Sequence, residues 1–467
     1  MVVTKLKPAN KKLKTFKAIQ EPKLKMKEKI SYGFGDLGNG MMFDMGQIYL
    51  LKFLTDVLGI SSVYAGLVFL VSKIFDAFVD VGVGSYIDNQ KNYSKKGKFR
   101  PFIIYGSLPL AIMTVVTFLT PNFSETGKII WAFAAYMAFN AAYSVVNIPY
   151  GSLSASMTLN ADDRTQLSVF RNMGSQGALF LAGVSVIPIV SLFPNEAMGY
   201  PIAVAVLAIF GMVFHVICYK GVKERHVVER PDVKGLGKKA FLSLFKNVPF
   251  IVLVIYTLLT ITAQFLKLNV QLFYFDYVLG QEGLVGVVST LNVIVVIPAV
   301  ILTTYISKRV GKKMTAIIGT AGFSICELLN FTLFGGEVIP FLIVNTLGSM
   351  FLVIPTTVSW AFIADVVEYG QWQNGLRSEG IIYSSYSFTR KLSQALAGFL
   401  PGLALAMVGF KSNVEQTAST IVGMKFVFFG FPLIITILGL FIFLIFYPLT
   451  DKRHNQIVKE LALREEL

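Results

Sequence analysis

Lys73, Asp76 and Asp80 interrupt the apolar run VSKIFDAFVD at residues 71–80. Residues four apart share one face of a helix, so the two carboxylates project together, with Lys73 one turn before Asp76. A carboxylate at mid-helix in a bilayer costs about 2.5–3.5 kcal/mol, so the pair needs compensation. Lys73 is expected to neutralise one Asp and leave one negative charge in excess. Such a cluster can receive one monovalent cation, H⁺ or Na⁺. The plainer alternative is an ion-pair network that ties helices together.

Other polar residues fall at similar depth. Asp36 and Asp44 lie in SYGFGDLGNGMMFDMG, where glycines 33, 35, 38 and 40 permit close helix approach. Asp36 is placed to help close the cytoplasmic side, and Asp44 is either a ligand contact or a structural hydrogen-bonding group. Arg171, in LSVFRNMGSQG, either snorkels to the interface or faces inward. Arg390 and Lys391 sit about ten residues into a span, too deep to snorkel easily, and are expected to face inward. Asp365, Glu368, Arg377 and Glu379, in ADVVEYG and LRSEG, bracket a turn and are expected to form a cytoplasmic gate rather than solvated salt bridges.

The elements that position these residues are membrane helices. Of 467 residues, 54% are hydrophobic and 15% charged, with 40 Phe and 3 His; the mean hydropathy is +0.63. Soluble domains carry about 25% charged residues. Apolar stretches long enough to cross a bilayer recur throughout, and lipid demands internally satisfied backbone, hence helices. Twelve spans are expected: 32–57, 62–87, 101–120, 129–155, 167–193, 199–219, 249–277, 284–306, 314–334, 338–366, 380–409 and 421–447.

Charge sets their orientation. Lys and Arg crowd the segment before Ser31, then NQKNYSKKGKFR, KGVKERHVVERPDVKGLGKK, SKRVGKK and DKRHNQIVKE, while PNFSETG, FPNEAMG, LGQEG and FGGE are neutral or acidic. The basic segments fall on alternate sides, so both termini are expected in the cytoplasm of a multi-pass cell-membrane protein. The net charge of +15 therefore reflects topology, and no nucleic-acid partner is expected. The first span is expected to be an uncleaved targeting element. The expected organisation is a basic tail (1–30), a six-helix bundle (31–219), a cytoplasmic loop (220–247), a second six-helix bundle (248–449) and a cytoplasmic tail (450–467). KKGKFRPF after the second span is echoed by KRVGKKMT after the eighth. This is an all-α fold of major facilitator type, suited to rocking two bundles about a central site.

No enzyme signature competes, and there is no P-loop. Cys218 and Cys326 lie in apolar segments, and His215 reads as a packed residue. No cofactor or metal site is expected, apart from Na⁺ at Asp76 and Asp80.

SYGFGD, FLTDVLG, DAFVD, GKFRPF, VNIPYGSL, ADVVEYGQW, YSFTRKLSQALAG and FYPLTDK together resemble the glycoside–pentoside–hexuronide:cation symporters. That family includes the melibiose and glucuronide carriers, and the likeness covers nearly all the chain after residue 28. It implies that Asp76 and Asp80 bind the coupling cation, with Lys73 beside them and Ser144 as a hydroxyl ligand. Val79 stands where melibiose carriers have Asn, which favours H⁺ over Na⁺. Gly40, Asn147 and Gly151 replace two sugar-binding Asp residues and a stacking Trp. Asp44, one turn beyond Gly40, is then a replacement carboxylate, and Asn147 can donate to and accept from sugar hydroxyls. Arg171 and Lys391 match basic positions of the sugar site or its charge network. The implied activity is cation-coupled uptake of a sugar or glycoside: Asp44 suits a neutral pentoside or xyloside, and the basic residues suit a glucuronide. A lysolipid transporter of the same fold and a non-transporting sugar sensor are the rivals.

Overall fold

Helix starts coincide with residues that can satisfy free backbone N–H groups. In a computed structural model, which describes residues 23–89, 97–158, 160–226, 243–375 and 379–466, Asn160, Asn195 and Asn247 each accept backbone N–H groups at the start of a helix. Chain order gives α1 (Met26–Ile48, prolonged by Leu50–Lys52 and a π-helical turn Phe53–Val57), α2 (Ser62–Asn89), α3 (Arg100–Thr117) and α4 (Glu125–Met157). Then come α5 (Ala161–Val190), α6 (Glu196–Gly221) and α7 (Val248–Phe273, with a π turn Tyr274–Val278). The stretch Leu284–Leu329 holds two helices, α8 and α9, divided at Gly311, and α9 runs on through a π turn Asn330–Phe334. The rest is α10 (Val338–Asn374), α11 (Glu379–Met407), α12 (Ala418–Phe446, with a π turn Phe426–Gly430) and α13 (Asp451–Glu466).

Helices thus stand at all twelve expected spans. Eight helical stretches among the described residues are long and apolar enough to cross a membrane on composition alone, one being the joined α8–α9 stretch. α1, α2 and α11 fall short of that standard, and they carry Asp36, Asp44, Lys73, Asp76, Asp80, Arg390 and Lys391. The helices least fitted to lipid thus include those that hold the Asp76–Asp80 cluster and its Lys391 partner.

Two expected tails are partly helical. α1 begins at Met26, where Glu28 accepts from the Lys25 N–H at 3.1 Å and Lys29 pairs with Asp163 at 2.6 Å. Residues 451–466 form α13, held against α10 by the buried Ile457 and by a Trp372 Nε1–Glu460 hydrogen bond of 2.6 Å.

The echo after the second and eighth spans has a structural counterpart. Gly97 (φ 105°) and Gly311 (φ 81°) turn the chain into α3 and α9 in a conformation that favours glycine. Glu224, just past α6, accepts from the N–H groups of Lys98, Phe99 and Arg100 at 2.7, 2.9 and 2.9 Å. Asp451, just past α12, accepts from Lys312 N–H at 2.8 Å. Each acid meets the positive end of a helix dipole.

Within the first six helices, α1 packs on α5 and α6, and α4 on α2 and α3. Within the last six, α7 packs on α11 and α12, and α10 on the α8–α9 stretch. Across the two sets, α2 meets α11, α5 meets the α8–α9 stretch, and α1 meets α7. These are the contacts that bring the charged helices together.

Candidate functional site

Where α2 crosses α11, Asp76 is buried and its carboxylate is fully engaged. Ser144 Oγ, on α4, donates to Asp76 Oδ1 at 2.7 Å. Lys391 Nζ, on α11, donates to Asp76 Oδ2 at 3.1 Å and also pairs with Asp80. Lys391 therefore bridges two carboxylates one helical turn apart from the opposite set of helices. The Asp76 side chain is 5% exposed and that of Asp80 24%, so Asp80 is the less buried of the two acids.

Lys73 behaves differently from expectation. Its Nζ donates to Asn140 Oδ1 at 2.9 Å and lies 4.6 Å from the Phe43 ring centroid. The i, i+3 spacing to Asp76 suggested a pair, but an amide and an aromatic face on neighbouring helices take the ammonium instead. The excess negative charge inferred from three residues is removed by a fourth, Lys391. Two ammonium groups now balance two carboxylates.

A second polar group lies on α1, α4 and α5. Arg171 Nε approaches Asp36 Oδ1 at 3.3 Å, and its guanidinium lies 5.3 Å from the Tyr150 ring centroid. The Arg171 side chain is 39% exposed. A Cβ on Gly151 would meet only Arg171 Nη1, at 3.7 Å, so the guanidinium borders the space a larger residue would fill. Asp44 Oδ2 stands 3.2 Å from where a Cβ on Gly40 would be. Ala178 on α5 lies nearer still to that position, and no hydrogen bond or ion pair joins Asp44 to another described residue. Asn147 Oδ1 is buried without a partner. Asp44 and Asn147 thus leave acceptor capacity for a ligand.

The remaining candidates lie elsewhere. Arg390 turns toward the Trp360 ring on α10, at 5.9 Å. Asp365 pairs with Lys312 at 2.5 Å and with His454 at 3.4 Å, and Glu368 pairs with His454 at 2.6 Å. These contacts fasten α10 to α9 and α13. Glu379 opens α11, and Arg377 lies outside the described residues. His215 is fully buried, its ring nitrogens 2.9 Å from Ser107 Oγ and 3.1 Å from Asn39 Oδ1.

Two charged clusters escaped the sequence reading. Lys267 on α7 pairs with the fully buried Glu327 on α9 at 2.5 Å, donates to Asn345 on α10 at 3.0 Å and lies 4.8 Å from the Phe428 ring. Lys52, at the far end of α1, stands 3.7, 3.0 and 3.1 Å from Asp56, Asp276 and Glu282. The first pair is 60 residues apart in sequence; isolated charges in FLKLNV and SICELLN carry no periodic signal. Charges such as Lys52, close to a helix end, resemble solvated loop residues.

Residues 31–451 match the family model for MFS/sugar transport proteins. The chain belongs to that family. It is a multi-pass membrane transporter and not an enzyme. An uncharacterized symporter of Bacillus subtilis is 43% identical over 442 residues, covering 94% of this chain and 96% of the relative. A glucuronide carrier protein homolog of Escherichia coli is 35% identical, with 94% and 96% covered. An isoprimeverose transporter of Lactiplantibacillus pentosus is 29% identical, with 87% and 85% covered. Among solved structures, the fold matches a bacterial homologue of the lysosomal transporter Spinster with a TM-score of 0.65 at 10% identity, covering 93% of this chain and 97% of the other. Together these findings place the chain with the glycoside–pentoside–hexuronide type of sugar transporters.

Proposed function

We propose that this protein is a secondary active transporter of the cell membrane, with both termini cytoplasmic, that couples a sugar or glycoside to a cation by alternating access. H⁺ is the coupling ion in preference to Na⁺. α1–α6 and α7–α12 are the two bundles that rock about the central site.

The observation that carries this reading is the Lys391 bridge to Asp76 and Asp80. Lys391 acts as a tethered cation, and a coupling ion must compete with it. A proton on Asp80, the more exposed acid, removes one of its two partners. Na⁺ prefers several oxygen ligands, and Val79 supplies none. When a carboxylate is protonated, Lys73 and Lys391 exceed the remaining negative charge by one. That surplus attracts an acidic substrate, so cation binding and substrate binding favour each other, as coupling requires.

A glycoside with a carboxylate or similar acid group is the substrate class that fits this charge count. Its acid group is met by Lys391 and Arg171, and its hydroxyls by Asn147 and Asp44. The glucuronide carrier homolog among the relatives supports this class. The second reading, a neutral pentoside or xyloside, is favoured by the unpaired Asp44, and the isoprimeverose transporter is the relative that fits it.

The test is uptake into proteoliposomes under separately imposed H⁺ and Na⁺ gradients, with glucuronides, xylosides and galactosides. Accumulation of an acidic glycoside under the H⁺ gradient is expected. No accumulation of any glycoside under either gradient would remove the basis for symport.

A further inference from the structure

We propose that Lys52 is the keystone of an extracellular gate, holding that face shut by joining a carboxylate on α1 to two carboxylates of the opposite bundle. This rests on the orientation given above, which puts the helix ends remote from the termini outside.

The contacts that meet there cross between the bundles. Lys52 Nζ stands 3.0 Å from Asp276 and donates to Glu282 at 3.1 Å, both of the second bundle, while its own helix supplies Asp56 at 3.7 Å. Tyr277 Oη donates to Asp56 Oδ2 at 2.8 Å, and Asn413 Nδ2 donates to the Asp56 carbonyl at 2.7 Å. Asn413 N–H in turn donates to Tyr277 Oη at 2.9 Å. Lys52 and Asp56 are buried in this seam, with side chains 4% and 2% exposed.

The backbone is shaped for the purpose. Asp56 lies on the π turn that ends α1, and Asp276 and Tyr277 lie on the π turn that ends α7. A π turn widens the helix and redirects its side chains, and here the two wide turns face each other across the seam. Lys52, immediately before the first turn, is the ammonium that Asp56, Asp276 and Glu282 share. Without it, Asp56 would face Asp276 and Glu282 as like charges across the interface, and repulsion would favour separation.

The role differs from that of the mid-membrane acids. Asp76 and Asp80 bind what is transported or what drives it; Lys52 sets which face is closed. It is a gating residue with no contact to substrate.

The test uses full-length protein in membrane vesicles of both orientations. Gly151→Cys serves as a reporter of access to the cavity, in a background with Cys218 and Cys326 replaced by Ser. A membrane-impermeant maleimide labels it from one face at a time. With Lys52 intact, labelling is expected from the cytoplasmic face. Lys52→Ala should raise labelling from the extracellular face by about tenfold, and Lys52→Arg should restore the parent pattern. Asp276→Asn with Glu282→Gln removes the same cross-links from the other side and should also raise extracellular labelling. Unchanged extracellular labelling in both the Lys52→Ala and the double variant overturns the gate. Failure of the orientation itself would appear separately, as extracellular labelling of the parent with Lys52 intact.

Discussion

The two ends of the α2–α11 pair are built from the same kind of residue and are packed in opposite ways. At the end remote from the termini, a Cβ on Gly66 would meet the Phe399 carbonyl at 2.7 Å, and one on Gly402 would strike the Ser62 carbonyl. At the terminal end, a Cβ on Gly82, Gly84 or Gly380 would meet nothing within 4 Å. One end is zipped backbone to backbone, whereas at the other these three glycines have open space beside them. α5 and α8 repeat the close contact at the remote end, where a Cβ on Gly183 would strike Ser289. The polar contacts follow the same division. Lys52 and Asp56 cross between the bundles at the closed end. At the terminal end, Lys29–Asp163, Arg225–Glu28, Lys312–Asp365 and His454–Glu368 each join residues of the same half of the chain. Lys391 sits between these ends and joins α11 to α2 through Asp76 and Asp80.

That contrast can be broken at several levels. Lys391→Ala leaves Asp76 and Asp80 without their shared ammonium. Removing one partner of a buried pair costs about 3–5 kcal/mol, and partial exposure of Lys391 puts the loss at the lower end. A reduced thermal unfolding midpoint in detergent checks it. Gly402→Val attacks the closed end alone. Overpacking there costs about 1–3 kcal/mol, a shift of about 5- to 150-fold away from the closed arrangement. Substrate binding should survive while net uptake falls, as equilibrium binding beside initial uptake rates would show. Glu224→Ala removes the acid at the start of α3 and leaves both ends intact. A lost helix cap costs about 0.5–2 kcal/mol, so stability should drop slightly and coupling stay unchanged.

How much of this was legible in the sequence depended on range. Asp76 and Asp80 declare themselves by helical spacing inside an apolar run, whereas Ser144 is named only by the family resemblance. The helices, too, follow from local apolarity and capping. The partner of the carboxylates was misread, because Lys73 is close in sequence and Lys391 is 315 residues from Asp76. Local spacing cannot register a contact made by packing α2 on α11. The Lys52 cluster was missed for the same reason: its acids come from α1, α7 and the turn before α8. The mid-membrane acids are visible because charge there is costly, whereas the charges clustered at an end look like ordinary loop charge until the helices are assembled.

Protonation at the Lys391-bridged carboxylates is proposed to drive accumulation. Asp80→Asn, reconstituted in proteoliposomes, tests this most directly by comparing H⁺-driven uphill uptake with exchange of glycoside across the same membrane. Uphill uptake lost while exchange persists is the expected result, since the site would still bind sugar and reorient but could no longer be driven. Accumulation under the H⁺ gradient at the level of the unsubstituted protein would contradict the account.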